Sequence, residues 1–262
     1  MEYVVIFGRE IPVYGLLGVV GVLFGICLLF LICKAEQESF DDAIFVFLWA
    51  GIFAMLGAKI LYLTVELDSI IEDITSHKYS FLYLLSKYTA GGFVFYGGLL
   101  GALLGAVLAC NFFGFSIRKE LNLCIPTLPM IHGFGRIGCS IVGCCYGMNY
   151  EGPMHITYVA SHYAPNNTPL FPTQLVEAIL NFGIVALLLL LSQRKEWRKK
   201  RTIIYLFLYS ICRFILEFFR GDEYRGIIVG LSTSQWISML IIISSAIYLY
   251  WISRRGVNES TL

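Results

Sequence analysis

Long apolar segments recur along this chain, each separated from the next by a short polar stretch. Hydrophobic residues dominate seven segments, 13–33, 43–66, 92–113, 121–144, 174–192, 202–219 and 229–252. A helix rises about 1.5 Å per residue, so a segment of about 20 residues matches the hydrocarbon thickness of a bilayer. The pattern therefore predicts an all-α polytopic membrane protein with seven transmembrane helices.

The polar connections are too short to fold as separate domains. The two longest are near 67–91 and 146–173, and the first contains a stretch, 70–86, in which leucine and aromatic residues alternate with charges. Such a stretch is typical of an amphipathic helix lying at a membrane surface. We expect one transmembrane domain over residues 1–262.

Lysine and arginine are distributed unequally between the two alternating sets of connections. One set carries eleven basic residues, six of them within 194–201, and the other carries five. Cytoplasmic loops are enriched in basic residues, so the N-terminus is predicted outside and the C-terminus in the cytoplasm. The connections 67–91 and 146–173 would then both be extracytoplasmic.

The composition excludes several other classes of protein. Hydrophobic residues make up 58% of the 262 residues and charged residues only 14%, which is incompatible with an ordinary soluble domain. The net charge of +1 offers no basic face for a nucleic acid. Five of the eight cysteines lie in or beside apolar runs, so they do not form the disulfide framework of a small secreted protein.

Four ionisable side chains fall inside the predicted spans, where each is energetically costly. Lys59, Arg136 and Arg213 lie past the middle of spans that run outwards, and Glu177 begins a span that starts outside. The simplest alternative is an internal ion pair that orders the helices. Three cations at one depth instead favour an anionic ligand, and a lipid phosphate is the natural anion there.

Helical spacing groups the polar residues of two spans. In the sixth, Arg213, Glu217 and Arg220 follow i, i+4 and i+7, which places them on one face. They form either a self-contained ladder of ion pairs or a phosphate site, because the guanidinium fork suits phosphate. In the fourth, His132, Arg136 and Cys139 have the same spacing.

Glycines mark the third span. Gly97, Gly101 and Gly105 recur every four residues, which predicts a ridge for close helix packing. Tyr96 precedes them at the outer mouth of the span, where it is either a membrane-interface aromatic or a proton-transfer group.

The order of these motifs resembles that of the prolipoprotein diacylglyceryl transferase family of bacterial inner-membrane enzymes. The resemblance covers nearly the whole chain. It includes PVYGLLG in the first span, GGFVFYGGLLG in the third, GRIG in the fourth, FPTQLVEAILN in the fifth, RFILEFFR in the sixth and GLSTSQWISM in the seventh.

The resemblance implies a multi-pass inner-membrane transferase whose active site faces the outer leaflet. It implies transfer of the diacylglyceryl group of phosphatidylglycerol to the lipobox cysteine of a preprolipoprotein, with release of glycerol phosphate. The partners would be that lipid, the lipobox peptide and the bilayer. We expect no metal, no diffusible cofactor and no nucleic acid.

The resemblance also assigns roles. Arg136 and Arg213 would bind and neutralise the phosphate, Glu217 would orient them, and Arg220 would lie near the exit. The other predicted substrate-binding residues are Tyr14, Lys59, Cys139, Gly147, Gln174, Glu177 and Gln235.

Three positions depart from the family pattern. Tyr96 stands where the family usually has histidine, Cys139 where it has asparagine, and Cys144 where it has glutamate. Tyrosine is a poor base near neutral pH because its reference pKa is about 10. His132, one turn before Arg136, is therefore the predicted base, with a substrate phosphate oxygen as the alternative proton acceptor.

The cysteines Cys139, Cys144 and Cys145 leave several interpretations open. They could pack as small apolar groups, form a disulfide, or carry a reactive thiol. Zinc ligation with His132, His155 or His162 is disfavoured, because CxxxxCC is not a usual spacing for a tetrahedral site.

Two other functions remain as alternatives. An enzyme of the same fold could use another acceptor, such as a glycan or a lipid head group, because the altered positions lie where the acceptor thiol would be activated. A phospholipid transporter is the other alternative, although no paired broken helices are evident in the sequence.

Overall fold

A computed structural model describes residues 3–6, 8–76, 78–222 and 226–255, and most of them are helical. The helices are α1 Val13–Glu36, α2 Phe40–Val65, α3 Leu67–Thr75, α4 Phe81–Ala90, α5 Phe95–Phe113, α6 Ile117–Cys124, α7 Thr127–Val142, α8 Thr173–Leu191, α9 Lys195–Arg198, α10 Arg201–Leu216 and α11 Thr233–Arg255. Three short antiparallel pairs join β1 Tyr3–Ile6 with β2 Arg9–Pro12, β3 Ile156–Thr157 with β4 Pro169–Leu170, and β5 Ile227–Ile228 with β6 Leu231–Ser232.

Within the described chain, six helical segments are long and apolar enough to cross a membrane. They lie in α1, α2, α5, α8, α10 with the turn that follows it, and α11. The prediction of a multi-pass, mainly helical membrane protein is therefore confirmed. The count of seven spans and the orientation of the termini stay predictions.

The predicted fourth span, 121–144, is not one continuous helix. It comprises the end of α6 and the 16-residue α7, with a turn at Ile125 and Pro126 between them. Proline disfavours helical geometry in the residue before it and has no N–H to continue the helix. At about 1.5 Å per residue, α7 alone is shorter than a full span.

The chain forms two compact units, one from residues 1–32 with 124–262 and the other from residues 33–123. In the first unit α7 packs on α8, and α10 packs on both α8 and α11. Its buried core includes Ile184, Leu188 and Tyr205. Gly133 allows this packing, because a side chain there would overlap the ring of Phe182 on α8.

In the second unit α2 packs on α5, and the glycine ridge predicted from the sequence is confirmed. A Cβ atom at Gly97 or Gly101 would overlap backbone carbonyl groups of α2, at Gly57 and Phe53 respectively. Gly105 lies equally close to Trp49 and Phe53. The absence of side chains lets the two backbones approach, which increases dispersion contacts between them.

Of the stretch expected to be amphipathic, 70–86, residues 70–75 lie in α3 and residues 81–86 in α4, and residue 77 lies outside the described residues. The contact between α3 and α4 is polar, because Lys87 Nζ and Tyr88 Oη both donate hydrogen bonds to Asp73 Oδ2, at 2.6 and 2.7 Å. These two donors lower the pKa of the Asp73 carboxyl. The position of α3 and α4 at a membrane surface stays a prediction.

The ionised Asp73 is expected to stabilise the α3 and α4 pair in a pH-dependent way. A carboxyl whose folded-state pKa is lowered contributes stability above its unfolded pKa, about 4, and that stability is lost as the pH falls through the folded value. Protection of the α3 and α4 amides from hydrogen exchange should therefore decrease on acidification. Asp73→Asn should remove this pH dependence, and an unchanged profile in the variant would contradict the assignment.

Candidate active site

Five polar side chains from three helices of the first unit meet around one carboxylate. They are His132 and Arg136 on α7, Glu177 on α8, and Arg213 and Glu217 at the end of α10; we call them the arginine cluster. Glu177 Oε2 lies 3.1 Å from Arg136 Nε and 4.0 Å from Arg213 Nη1, and its Oε1 lies 3.6 Å from His132 Nε2. Glu177 is only 3% exposed.

The helical spacing of His132 and Arg136 produces the contact expected from the sequence. Arg136 Nε donates a hydrogen bond to His132 Nε2 at 3.1 Å. The accepting nitrogen must be unprotonated, which assigns the ring proton to Nδ1. The His132 ring also lies against Tyr209, with a centroid separation of 5.6 Å. His132 is thus held between a cation and an aromatic ring.

One terminal nitrogen of Arg213 is hydrogen-bonded and the other is not. Its Nη2 lies 2.7 Å from Glu217 Oε2, one helical turn further along the chain, and 3.5 Å from Ser234 Oγ. Its Nη1 is buried and has no hydrogen-bond partner among the described residues. A buried N–H without a partner is costly, so Nη1 is a ready donor for an anionic oxygen.

The sequence predicted more cations than acidic partners at this depth, but in the structure each of the three arginines has a carboxylate partner. Arg136 and Arg213 share Glu177, Arg213 also pairs with Glu217, and Arg220 forms a bidentate pair with Asp222. Asp222 was not anticipated, because it lies outside the apolar spans. This pair raises the pKa of Arg220, against the lowering effect of burial.

Gly147 lies where three backbone segments pack together. Its backbone pairs with that of Arg220, and Gly221 N donates to the Tyr146 carbonyl at 3.0 Å. A Cβ atom at Gly147 would overlap the Phe171 carbonyl oxygen and Thr173 Oγ1. In the structure, Gly147 thus allows close backbone packing. Its contact with substrate stays a prediction.

Two glutamines named from the sequence bind backbone groups. Gln174 Nε2 donates to the Cys144 carbonyl at 2.9 Å and lies 3.5 Å from Tyr158 Oη. Gln235 Nε2 donates to the Phe214 carbonyl at 3.4 Å, which links α11 to α10. Both are buried, so they position the segments that carry the cysteines and Arg213.

Tyr14 and Cys139 lie at the far end of α7 from His132. Tyr14, on α1, is half-exposed and would contact any side chain placed at Gly138. Cys139 is buried, and its sulfur lies close to those of Cys144 and Cys145: all three Sγ atoms are within 4.8 Å of one another. The three cysteines are free thiols, so the disulfide considered from the sequence is not formed. Among the described residues, these three cysteines are the group whose ligand atoms lie close enough together to hold a metal ion.

The remaining two predicted residues, Lys59 and Tyr96, belong to the second unit. Lys59 Nζ donates to the carbonyls of Gly91 at 2.5 Å and Thr89 at 3.2 Å, and it lies 4.8 Å from the centroid of the Tyr62 ring. Backbone oxygens and an aromatic face therefore satisfy this cation. Tyr96 is partly exposed in the first turn of α5. Their roles toward substrate stay predictions.

Asn181 belongs beside the cluster but was missed in the sequence. Its Nδ2 donates to the Glu177 carbonyl at 2.8 Å, and its Oδ1 is buried without a hydrogen-bond partner in the described chain. The signal was available, since Asn181 is a polar residue one turn after Glu177 in an apolar span. Tyr209 and Ser234 gave no such signal, because hydroxyl residues are common on transmembrane helices.

The chain is similar to known proteins over nearly its whole length. The family model described as prolipoprotein diacylglyceryl transferase matches residues 3–251. A phosphatidylglycerol-prolipoprotein diacylglyceryl transferase of Clostridium tetani is 35% identical over 239 residues, covering 91% of this chain and 92% of that protein. The second such transferase of Clostridium perfringens is 34% identical over 257 residues, covering 98% and 96%.

Proposed function

Because this chain belongs to the prolipoprotein diacylglyceryl transferase family, we propose that it transfers the diacylglyceryl group of phosphatidylglycerol to the lipobox cysteine of a preprolipoprotein. Glycerol phosphate is the other product. The buried Nη1 of Arg213, which has no hydrogen-bond partner in the described chain and shares the Glu177 carboxylate with Arg136, is the observation that carries this proposal. This nitrogen is a buried hydrogen-bond donor within the arginine cluster, which is surrounded by apolar helices.

The two arginines bind the phosphate and stabilise its developing charge. All hydrogen bonds and ion pairs of Arg136 within the described residues run through Nε, so its two terminal nitrogens extend the donor set of Arg213 Nη1. As the bond between the glyceryl carbon and oxygen breaks, negative charge accumulates on the phosphate oxygens. Donors already fixed in a buried site stabilise that charge without reorganisation.

Glu177 and Glu217 hold the two guanidinium groups in place. Both carboxylates are almost fully buried, and Glu177 forms an ion pair with Arg136 while Glu217 forms one with Arg213. Without them the arginines would repel one another when no lipid is bound. The carboxylates therefore stabilise the arginines when no lipid is bound. The bound phosphate adds further negative charge opposite the two guanidinium groups.

The topology of the proposed enzyme follows from the charge pattern. The enzyme spans the bacterial inner membrane several times, with its N-terminus outside, and it takes phosphatidylglycerol from the outer leaflet. The basic residues of 194–201, between α8 and α10, lie on the cytoplasmic side in this arrangement. The preprolipoprotein supplies its thiol from the opposite, extracytoplasmic side.

The geometry supports a positioning role for His132 rather than the role of base expected from the sequence. Its Nε2 lone pair accepts the hydrogen bond of Arg136, so proton abstraction there requires the loss of that contact. His132 and Glu177 together fix the direction in which Arg136 presents its terminal nitrogens.

His132→Gln is expected to retain activity within about 10-fold of the native enzyme, because a glutamine oxygen can still accept from Arg136. The loss should appear in KM for phosphatidylglycerol. His132→Phe, which lacks an acceptor, should lose more. Removal of a general base lowers kcat by about 10²–10⁴, so a loss of that size in His132→Gln would restore the assignment of His132 as the base.

The proposed activity is tested with the purified full-length protein, phosphatidylglycerol vesicles and a synthetic lipobox peptide. We expect release of glycerol phosphate together with a peptide whose mass increases by one diacylglyceryl group. A peptide with serine in place of the cysteine should give neither product. Release of glycerol phosphate dependent on a glycan or another lipid would favour a different acceptor, and lipid movement without release would favour a transporter.

A further inference from the structure

The turn after α7 folds two cysteines back onto a third. Helix α7 ends at Val142, and the Gly143 that caps it has a φ of +90°. Cys145 has a φ of +56°, a left-handed conformation that is unusual for a residue with a side chain. On a continuous helix, residues five apart point in different directions. The two left-handed residues reverse the chain, so the CxxxxCC spacing no longer argues against the binding of one metal ion by all three cysteines.

The three sulfur atoms are close to the spacing of a metal site. They all lie within 4.8 Å of one another. Zinc binds thiolate at about 2.3 Å with tetrahedral geometry, which requires sulfur atoms about 3.8 Å apart. A contraction of about 1 Å at most would therefore form the site, and such a change is within the range of side-chain rotation.

Hydrogen bonds hold the backbone of this turn in place. Gly143 N donates to the Cys139 carbonyl at 2.8 Å, and Gln174 Nε2 donates to the Cys144 carbonyl at 2.9 Å. Ser161 Oγ donates to the Val142 carbonyl at 2.9 Å. Two of the three donors come from outside the turn, so the thiols are presented by a supported backbone.

The charge near the thiols favours a bound cation with thiolate ligands. Three thiolates and one Zn²⁺ carry a net charge of −1. Arg136 interacts electrostatically with Cys139, Cys144 and Cys145, and Arg220 interacts with Cys145. The two guanidinium groups compensate the negative charge of such a centre, whereas they would repel a cation bound by neutral ligands.

We propose that Cys139, Cys144 and Cys145 bind one zinc ion, and that its open fourth position binds the acceptor cysteine of the lipobox peptide. Zinc sites with three protein ligands keep the fourth position for water or substrate, and a thiol that coordinates zinc is deprotonated. The second half of this proposal rests on the proposed function. It explains how a thiol becomes a nucleophile at a site whose imidazole is already bound to Arg136.

The transfer step then balances. The peptide thiol releases its proton on binding zinc, and its sulfur attacks the glyceryl carbon that bears the phosphate oxygen. The carbon–oxygen bond breaks as the carbon–sulfur bond forms, and the electron pair leaves with the phosphate. The leaving group takes up one proton, so the products are the thioether peptide and glycerol phosphate. No oxidant or reductant takes part.

Metal content is the direct test. Full-length protein purified without chelator should contain about one zinc per chain by inductively coupled plasma mass spectrometry. Cys144→Ser should lose it, and Cys27→Ser, a change in an exposed cysteine of α1, should keep it. Should the variants fail to fold, removal of zinc from the native protein by a chelator and reloading with Zn²⁺ gives the same measurement. Protein that neither contains zinc nor takes it up overturns the proposal.

Cobalt tests the fourth position separately from catalysis. Protein loaded with Co²⁺ should show a sulfur-to-cobalt charge-transfer band that changes on addition of the lipobox peptide and not of its serine analogue. An unchanged band, or full transferase activity in metal-free protein, overturns zinc binding of the acceptor and leaves the proposed function intact. A peptide-dependent band without glycerol phosphate release supports the metal site and contradicts the proposed function.

Discussion

Alanine in place of Arg213 is expected to lower kcat/KM for glycerol phosphate release by at least about 10²-fold, the loss typical of one donor in a preorganised anion site. The variant loses Nη1, the buried donor that has no hydrogen-bond partner in the described chain, and it leaves Glu177 and Glu217 facing one cation fewer. Arg136→Ala should behave in the same way. Both are measured with phosphatidylglycerol vesicles and the lipobox peptide.

Two controls separate the loss of phosphate binding from a general loss of charge. Arg213→Lys keeps the cation but not the planar fork, and we expect activity between those of the native protein and the alanine variant. Arg118→Ala removes an exposed arginine of α6 and should leave turnover unchanged. Undiminished turnover in both Arg213→Ala and Arg136→Ala would contradict phosphate binding by the cluster.

Glu177→Gln is expected to be the most destabilising conservative change in the cluster. The glutamine keeps the shape of the side chain but removes the charge shared by Arg136 and Arg213, and the site is almost fully buried. Loss of one partner from a buried ion pair costs about 3–5 kcal/mol. The thermal midpoint of the detergent-solubilised protein should decrease clearly, and transferase activity should be lost with it.

A lipid titration distinguishes this electrostatic effect from a packing defect. Phosphatidylglycerol brings a phosphate whose charge can replace that of Glu177, so it should raise the thermal midpoint of Glu177→Gln more than that of the native protein. Glu151→Gln, at an exposed position, should melt like the native protein. A native-like midpoint for Glu177→Gln would show that the carboxylate does not hold the arginines.

Contacts between residues close in sequence were predictable from helical spacing. His132 with Arg136 and Arg213 with Glu217 are both one turn apart, and both contacts are present in the structure. The glycine ridge of α5 was equally predictable, because glycine repeated every four residues on a transmembrane helix typically marks a close helix contact. In each case the geometry of a single helix determines the outcome.

Contacts beyond the end of a helix were not predictable in the same way. The spacing of Arg213, Glu217 and Arg220 predicted one shared helical face, yet Arg220 pairs with Asp222, beyond the end of the 3-10 turn at Glu217–Phe219. Arg220 has extended backbone there, which takes its side chain off the helical face. Because helix α10 ends before Arg220, the helical spacing does not predict the direction of that side chain.

The sequence alone determined that this protein crosses a membrane several times and which few polar residues lie among its apolar segments. Those conclusions depend on composition and on periodicity along one chain, since the bilayer imposes the same length and polarity on every span. Only the tertiary structure decided that Glu177 joins three helices and that Cys144 and Cys145 return to Cys139. Helix packing and two left-handed residues set those distances, and neither is encoded in the spacing of residues along a single helix.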